Sequence, residues 1–392
     1  MPTTINCLAL HHNILYAASS NQIHVFDLSD YTHVDTFNDD SSSGSVKSMA
    51  FQNTKLFTAH QDSKIRIWQI TSSKRHRLLS VLPTVKDRLH RFILPKNYVR
   101  VRRHQKKLWI EHYDAVSGLV VGGGGLVYSS SWDRSFKVWC GSELRCLESV
   151  KAHNDAVNAI AVSDDGMVYT ASADGTVRVW ERDEKERKHS MVTTLDKHKS
   201  TVNALALNGD GTALFSGSCD CSIMVWGRET DGGISSSMVF VEELRGHAGA
   251  VLCLTTVDDL LISGSSDRTV RIWRRGKDGE FHCMGTLEGH EQPVKCLVAV
   301  WDGESNGVVL KVGGGTSKKP KSTSSANGNA LKLSCELLRI FITVFRTDIV
   351  LRQRLYSALL PLRKQRGSAK LKQLIWREFF HSYSWIFEAF KA

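Results

Sequence analysis

The chain has 392 residues, of which 42% are hydrophobic, and a formal net charge of +11. That length accommodates one large repeat domain with an appendage, and with no apolar run of about 18 residues a membrane-spanning helix is excluded. Met1–Leu10 lacks a basic segment followed by an apolar core, so no signal peptide is expected, and the nine cysteines, scattered without a CxxC pair, are expected as free thiols and not as a zinc site.

The charge is unevenly placed. From Thr316 onward there are 15 Lys and Arg against 4 Asp and Glu, while the preceding 315 residues hold 36 of each. The basic excess belongs to the C-terminal segment, so net charge argues nothing about the rest of the chain.

In chain order, residues 5–28 (INCLAL, ILYAAS, QIHVFDL) read as three short strands ending near Phe26. The next unit ends IRIW at Trp68, with Asp62 six residues earlier and Thr58 four before that. The same spacing returns as Ser129, Asp133, Trp139; Thr170, Asp174, Trp180; Ser216, Asp220, Trp226; and Ser263, Asp267, Trp273. A His followed four residues later by Val opens units at His112, His153, His198, His247 and His290. Each full unit reads as three strands, with a tight Asp turn before the last. The residue types permit one buried chain: the Asp accepts from the His, the His meets the hydroxyl, and the hydroxyl accepts from the indole N–H.

These units resemble the WD-repeat family over residues 5 to about 300. The resemblance implies an all-β, seven-bladed propeller of four-stranded sheets. Two units depart from the pattern. The first has Phe26 for Trp and Ser20 for Asp and is expected to be held by apolar packing alone; the second lacks the His, with the Ser-rich run Asp39–Ser45 in its place. A seventh unit begins with GHEQPVKCLVAV, and Val308–Val312 can form a second strand, but no Asp and Trp follow. An incomplete seventh blade is therefore expected, with strands from neither chain end to finish it and an open sheet edge. The resulting division is a propeller over residues 1–315, a Ser/Lys/Gly/Asn linker over 316–330, and a basic helical tail over 331–392 that resembles nothing in the family.

An insertion over residues 71–115 separates the second and third repeats. With FTAHQDSKIRIW before it, SWDRSFKVW after it, and LPK and RRH segments inside it, the chain resembles the plant JINGUBANG-like WD-repeat proteins. That resemblance implies a regulator of plant reproductive development, including pollen germination. The insertion carries Lys86, Arg88, Arg91, Lys96, Arg100, Arg102, Arg103, Lys106 and Lys107 against Asp87 alone, interleaved with Tyr98 and Trp109. YVRVRR and KLWIEH predict a hairpin with one charged face, read either as a docking surface for an acidic partner or a phosphate backbone, or as a solvated hairpin without a partner. Trp132, before Asp133 where other repeats have Gln61, Ala173, Cys219 and Ser266, is a second candidate contact: a rim hot spot, or a ring packed on the insertion.

Catalytic readings fail. Gly122–Gly125 joins two strands and opens no helix, so it is a turn and not a phosphate cradle. The Ser, His and Asp of the repeats recur beside a Trp in several copies and are structural. No repeat-end Trp is followed by Asp, which the Trp-Asp-x-Arg signature of ubiquitin-ligase adaptors requires. Lys318-Lys319-Pro320-Lys321 is similar to a short nuclear-import signal, and ALKLSCELLRIFITVFRTDIVLRQRLYSALL and Ala369–Phe390 are helix-like and basic. The expected function is a non-catalytic scaffold or regulator, cytoplasmic or nuclear, with no cofactor or metal and with other proteins as partners. The alternatives are nucleic-acid association through insertion and tail, and membrane association through the tail.

Overall fold

The computed structural model describes residues 4–30, 32–102, 104–183, 185–228, 238–276, 278–302 and 307–313. They hold six four-stranded antiparallel sheets, each a simple meander in chain order, spanning 5–37, 46–82, 116–151, 157–195, 202–245 and 251–287. Two further strands, Cys296–Asp302 and Gly307–Gly313, form an antiparallel pair. The first strand of each sheet packs against the first strand of the next. The pair packs between the sixth sheet and the first, so the arrangement closes on itself as a propeller. The expected linker and helical tail lie outside the described residues, and among the described residues no helix is long and apolar enough to cross a membrane.

The second strand of each blade is sandwiched between neighbouring blades, so its burial does not alternate: LVYSSS and LLISGS are buried throughout. One position in these strands must be small. It is Ala18, Ala59, Ser130 and Ala171 in the first four blades and glycine in the last two. A Cβ at Gly217 would stand 2.5 Å from Val251 of the next blade, and one at Gly264 equally close to Val294. Val251 and Val294 are thus knobs, each seated in the blade before it.

Two expectations are corrected. The insertion does not begin at 71: His76–Leu82 is the fourth strand of the second blade, paired along its third strand from Ile65↔Leu82 to Ile70↔His76. The inserted structure is a helix, Val85–Arg91, and a hairpin of Tyr98–Arg102 with Gln105–Leu108. Nor is the first blade held by apolar packing alone. His76 from the second blade donates its backbone N–H to Asp35 Oδ2 at 3.0 Å, lies 2.9 Å from the same oxygen through Nδ1, and lies 3.1 Å from Tyr16 Oη through Nε2.

Candidate interaction surface

Four blades bring the repeated polar residues together. In the third, His112 Nδ1 lies 2.7 Å from Asp133 Oδ2 and Nε2 lies 2.9 Å from Ser129 Oγ, which accepts from Trp139 Nε1 at 2.8 Å. The fourth repeats this with His153, Asp174, Thr170 and Trp180 at 3.0, 2.8 and 2.9 Å. His198, Asp220, Ser216 and Trp226 do so in the fifth, at the same three distances. His247, Asp267, Ser263 and Trp273 follow in the sixth, at 2.8, 2.7 and 2.9 Å. Each Asp also collects a backbone N–H beside the His and a backbone N–H two residues on, so the turn is built around its carboxylate.

Burial lowers the pKa of His112, His153 and His247, partly opposed by the neighbouring Asp. Burial alone would raise Asp220 and Asp267; hydrogen bonds from Ser222 and Thr269, then from the backbone and the His, outweigh it and hold each at about 2. A neutral imidazole beside a carboxylate fixes the proton on Nδ1 and leaves Nε2 to accept from the hydroxyl. This is the connectivity of a hydrolytic triad, but the hydroxyl cannot act as a nucleophile. It already accepts from the indole, and Ser129, Thr170, Ser216 and Ser263 are all fully buried.

The second blade solves the missing His differently. His60, two residues after Thr58 on the same strand, places Nε2 2.8 Å from Thr58 Oγ1, which accepts from Trp68 Nε1 at 3.0 Å. Asp62 is held by Arg66 instead, which also reaches Asp40 in the Ser-rich run. The other full repeats read Ser/Thr-x-Ser-x-Asp where this one reads Thr58-Ala59-His60-Gln61-Asp62, so the displaced His was visible as the odd residue in the motif. Burial, then Arg66, pushes His60 down to about 3.

The insertion is anchored at its base. Asp87, at the buried end of the helix, accepts the Cys146 backbone N–H of the third blade at 3.0 Å and pairs with Arg91 at 2.8 Å. Arg91 also donates to Cys146 O at 3.2 Å and lies 4.8 Å over the Trp109 ring. Lys137 from the third blade donates to Trp109 O at 2.6 Å. Trp109 is therefore half-buried against the core and is not the exposed aromatic contact expected of it. Arg88 pairs with Glu111 at 3.2 Å, so it too is occupied.

What remains outward is apolar and basic together. Val85, Leu89, Phe92 and Ile93 follow one face of the helix and its exit, 51–73% exposed, with Leu94, Tyr98 and Val99 continuing the surface. Lys86, Lys96, Arg100 and Lys106 are exposed and Lys107 is half-buried; the side chain of Arg102 and all of Arg103 lie outside the described residues. Arg100 stands directly across the hairpin from Lys106. Like charges in that position oppose the pairing. Trp132 is 40% exposed, and its ring lies 5.3 Å from Lys47 Nζ of the second blade. Among the described residues no group of His, Cys, Asp and Glu could hold a metal ion.

Three stretches, residues 144–181, 189–227 and 238–274, match the WD domain, G-beta repeat family. The chain carries WD40 repeats on a β-propeller fold. Each matched stretch begins with the outer strand of one blade and ends with the third strand of the next, so the repeat in the sequence is offset from the blade in space. Two solved structures are similar. The crystal structure of the RRP9 WD40 repeats is 21% identical with a TM-score of 0.57, covering 79% of this chain and 88% of that one. The structure of U3-55K has the same identity and TM-score, with 79% and 89% covered. At that identity the likeness concerns the fold alone. No curated protein sequence matches the chain.

Proposed function

We propose that this WD40 propeller is a non-catalytic scaffold that docks an acidic partner protein on its inserted helix and hairpin. One observation carries the reading: the insertion is pinned to the third blade by Asp87, Arg91 and Lys137, yet it turns an apolar stripe and an uncompensated basic strand pair to solvent. An apolar patch rimmed by one sign of charge is what a protein partner of opposite charge recognises. Buried tetrads hold the blades, and the strand pair 296–313 serves as a short seventh blade. The resemblance of the LPK and RRH segments to JINGUBANG-like proteins extends this to a regulator of plant development.

The test is capture of partners by the full chain, by Arg100→Ser/Lys106→Ser/Lys107→Ser and by Leu89→Ser/Ile93→Ser, followed by titration of the captured protein. Both variants are expected to melt with the wild type and to bind at least about tenfold more weakly, the charge variant losing its salt dependence as well. Partners held equally by all three chains would refute the reading. A steep linear fall of log affinity with log salt, on nucleic acid rather than protein, would replace it with the nucleic-acid alternative.

A further inference from the structure

The six inner strands share one irregularity. Each shifts register around the residue that follows its opening Val or Ile: between Ile5 and Cys7, Val46 and Ser48, Val116 and Gly118, Val157 and Ala159, Val202 and Ala204, and Val251 and Cys253. A bulge takes one residue out of the ladder and re-aims its side chain. In three successive blades that side chain crosses to the next blade. Ser117 Oγ donates to Val157 O at 2.5 Å, Asn158 Nδ2 to Val202 O at 3.0 Å, and Asn203 Nδ2 to Val251 O at 2.9 Å. The bulge residues therefore form an inner rim where consecutive blades meet.

Two lysines interrupt this rim. Lys47 is the bulge residue of the second blade, and Lys295 follows Val294 at the matching place before the strand pair. Among the described residues neither ammonium group has an ion pair or a hydrogen bond. Lys47 is half-buried; burial first, then the charge of Lys295, hold its pKa below the ordinary lysine value. Beside it, 5.3 Å from the ammonium, stands the exposed ring of Trp132. Two cations near enough to repel, one of them partly desolvated, are stabilised by an anion placed between them. The indole face offers apolar surface next to that anion.

We propose that Lys47, Lys295 and Trp132 form a second recognition site, separate from the insertion, that reads an acidic peptide. An Asp or Glu carboxylate would sit against the two ammonium groups, and an adjacent apolar side chain would rest on the indole. The residues come from the second and third blades and the strand pair, so the site exists only when the ring is assembled.

The probe is a peptide of alternating Glu and Leu with an amidated end, mixed with the full chain and a water-soluble carbodiimide. The reagent condenses a carboxylate with a lysine amine in contact with it, with loss of water, and mass spectrometry maps the amide. Lys47 and Lys295 are expected to be linked about tenfold more than the exposed Lys188, and Trp132→Ala is expected to lower the yield at both without changing it at Lys188. In parallel, the anisotropy of the fluorescein-labelled peptide should show a loss of about tenfold in affinity for Lys47→Gln/Lys295→Gln, a variant whose changes sit at solvent-reachable tips and leave the blade contacts intact. Linkage at Lys47 and Lys295 no greater than at Lys188, or unchanged affinity of the double variant, would overturn the proposal.

Discussion

Replacing Asp174 with alanine tests whether the tetrads hold the blades. Four donors converge on its carboxylate: His153 Nδ1 at 3.0 Å, Thr176 Oγ1 at 2.7 Å, and the backbone N–H groups of Asn154 at 3.2 Å and Thr176 at 3.1 Å. The Thr176 hydroxyl can turn to another acceptor and the exposed Asn154 amide can reach water, but the His153 ring is fully enclosed. An orphaned buried donor costs about 1–3 kcal/mol, and with a weakened turn the loss comes to about 3 kcal/mol. Asp133 has the same pattern of donors, and its side chain has no exposure, against 13% for Asp174. Asp133→Ala should therefore cost more, about 5 kcal/mol, the upper range for breaking a buried pair. In a propeller of this size these losses lower Tm by about 6 and 10 °C. Urea unfolding followed by tryptophan fluorescence measures both, with Asp174→Asn, which keeps one acceptor oxygen, expected in between the wild type and Asp174→Ala. Equal losses at the two sites, or a loss below about 1 kcal/mol at Asp133, would refute the reasoning from burial.

Other outcomes follow from the same geometry. His60 titrates near its ordinary 6.5 when unfolded and at about 3 when folded. Below 6.5 the unfolded chain takes up a proton that the folded chain refuses, so stability falls with pH by up to about 1.4 kcal/mol per pH unit. His60→Gln should recover about 2 kcal/mol of the loss between pH 6.5 and 5, and an unchanged slope in urea melts at the two pH values would contradict this. Asp87→Ala removes the acceptor for Cys146 N–H and Arg91 and should free the helix from the third blade. Trypsin is then expected to cut after Arg88, Arg91 and Lys96 about tenfold faster than in the wild type, because opening costs about 1–2 kcal/mol less; equal rates would show that the hairpin alone holds the insertion.

The parts of this molecule written in local spacing were readable from the sequence. The Asp and Trp of each repeat lie within one hairpin, so fixed covalent distance enforces a spacing of six residues, and the hydroxyl residue sits on the neighbouring strand of that hairpin. The His, although it comes from the preceding loop, was readable because the same loop recurs. His60 stands out in its motif, but its role does not follow from spacing: the usual loop here holds Ser41–Ser45, and the hydroxyl of Thr58 is met from its own strand instead. The outer strands carried the weakest pattern. HRLLSVL exposes Leu78 and Leu79, so it resembled inserted chain instead of a blade edge. The contact of Asp35 with His76 spans 41 residues and has no motif of its own, which is why the first blade looked purely apolar. Yet register repeats the idea: Asp35, Glu148 and Glu242 occupy one position on the outer strands of alternate blades, and each accepts the first backbone N–H of the next outer strand. Of the proposed surface, the basic composition was legible, but the inward turn of Trp109 and the outward stripe Val85–Ile93 depend on how Arg91 and Lys137 seat the insertion.

That seating bears on rates. A binding segment that must first be ordered spends part of its contact energy on losing conformational freedom, and its encounters are often unproductive. Here the helix and hairpin are clamped to the third blade, so under the proposed docking the cost of ordering would fall on the partner alone. The two kinds of exposed residue would then govern different halves of the kinetics. Arg100, Lys106 and their neighbours would act at a distance and set how often an acidic partner arrives in a useful orientation, an effect that salt erases. Leu89, Phe92 and Ile93 would act only on contact and set how long it stays. A cell that altered the charge of this hairpin would change how quickly complexes form, while complexes already formed would keep their lifetimes.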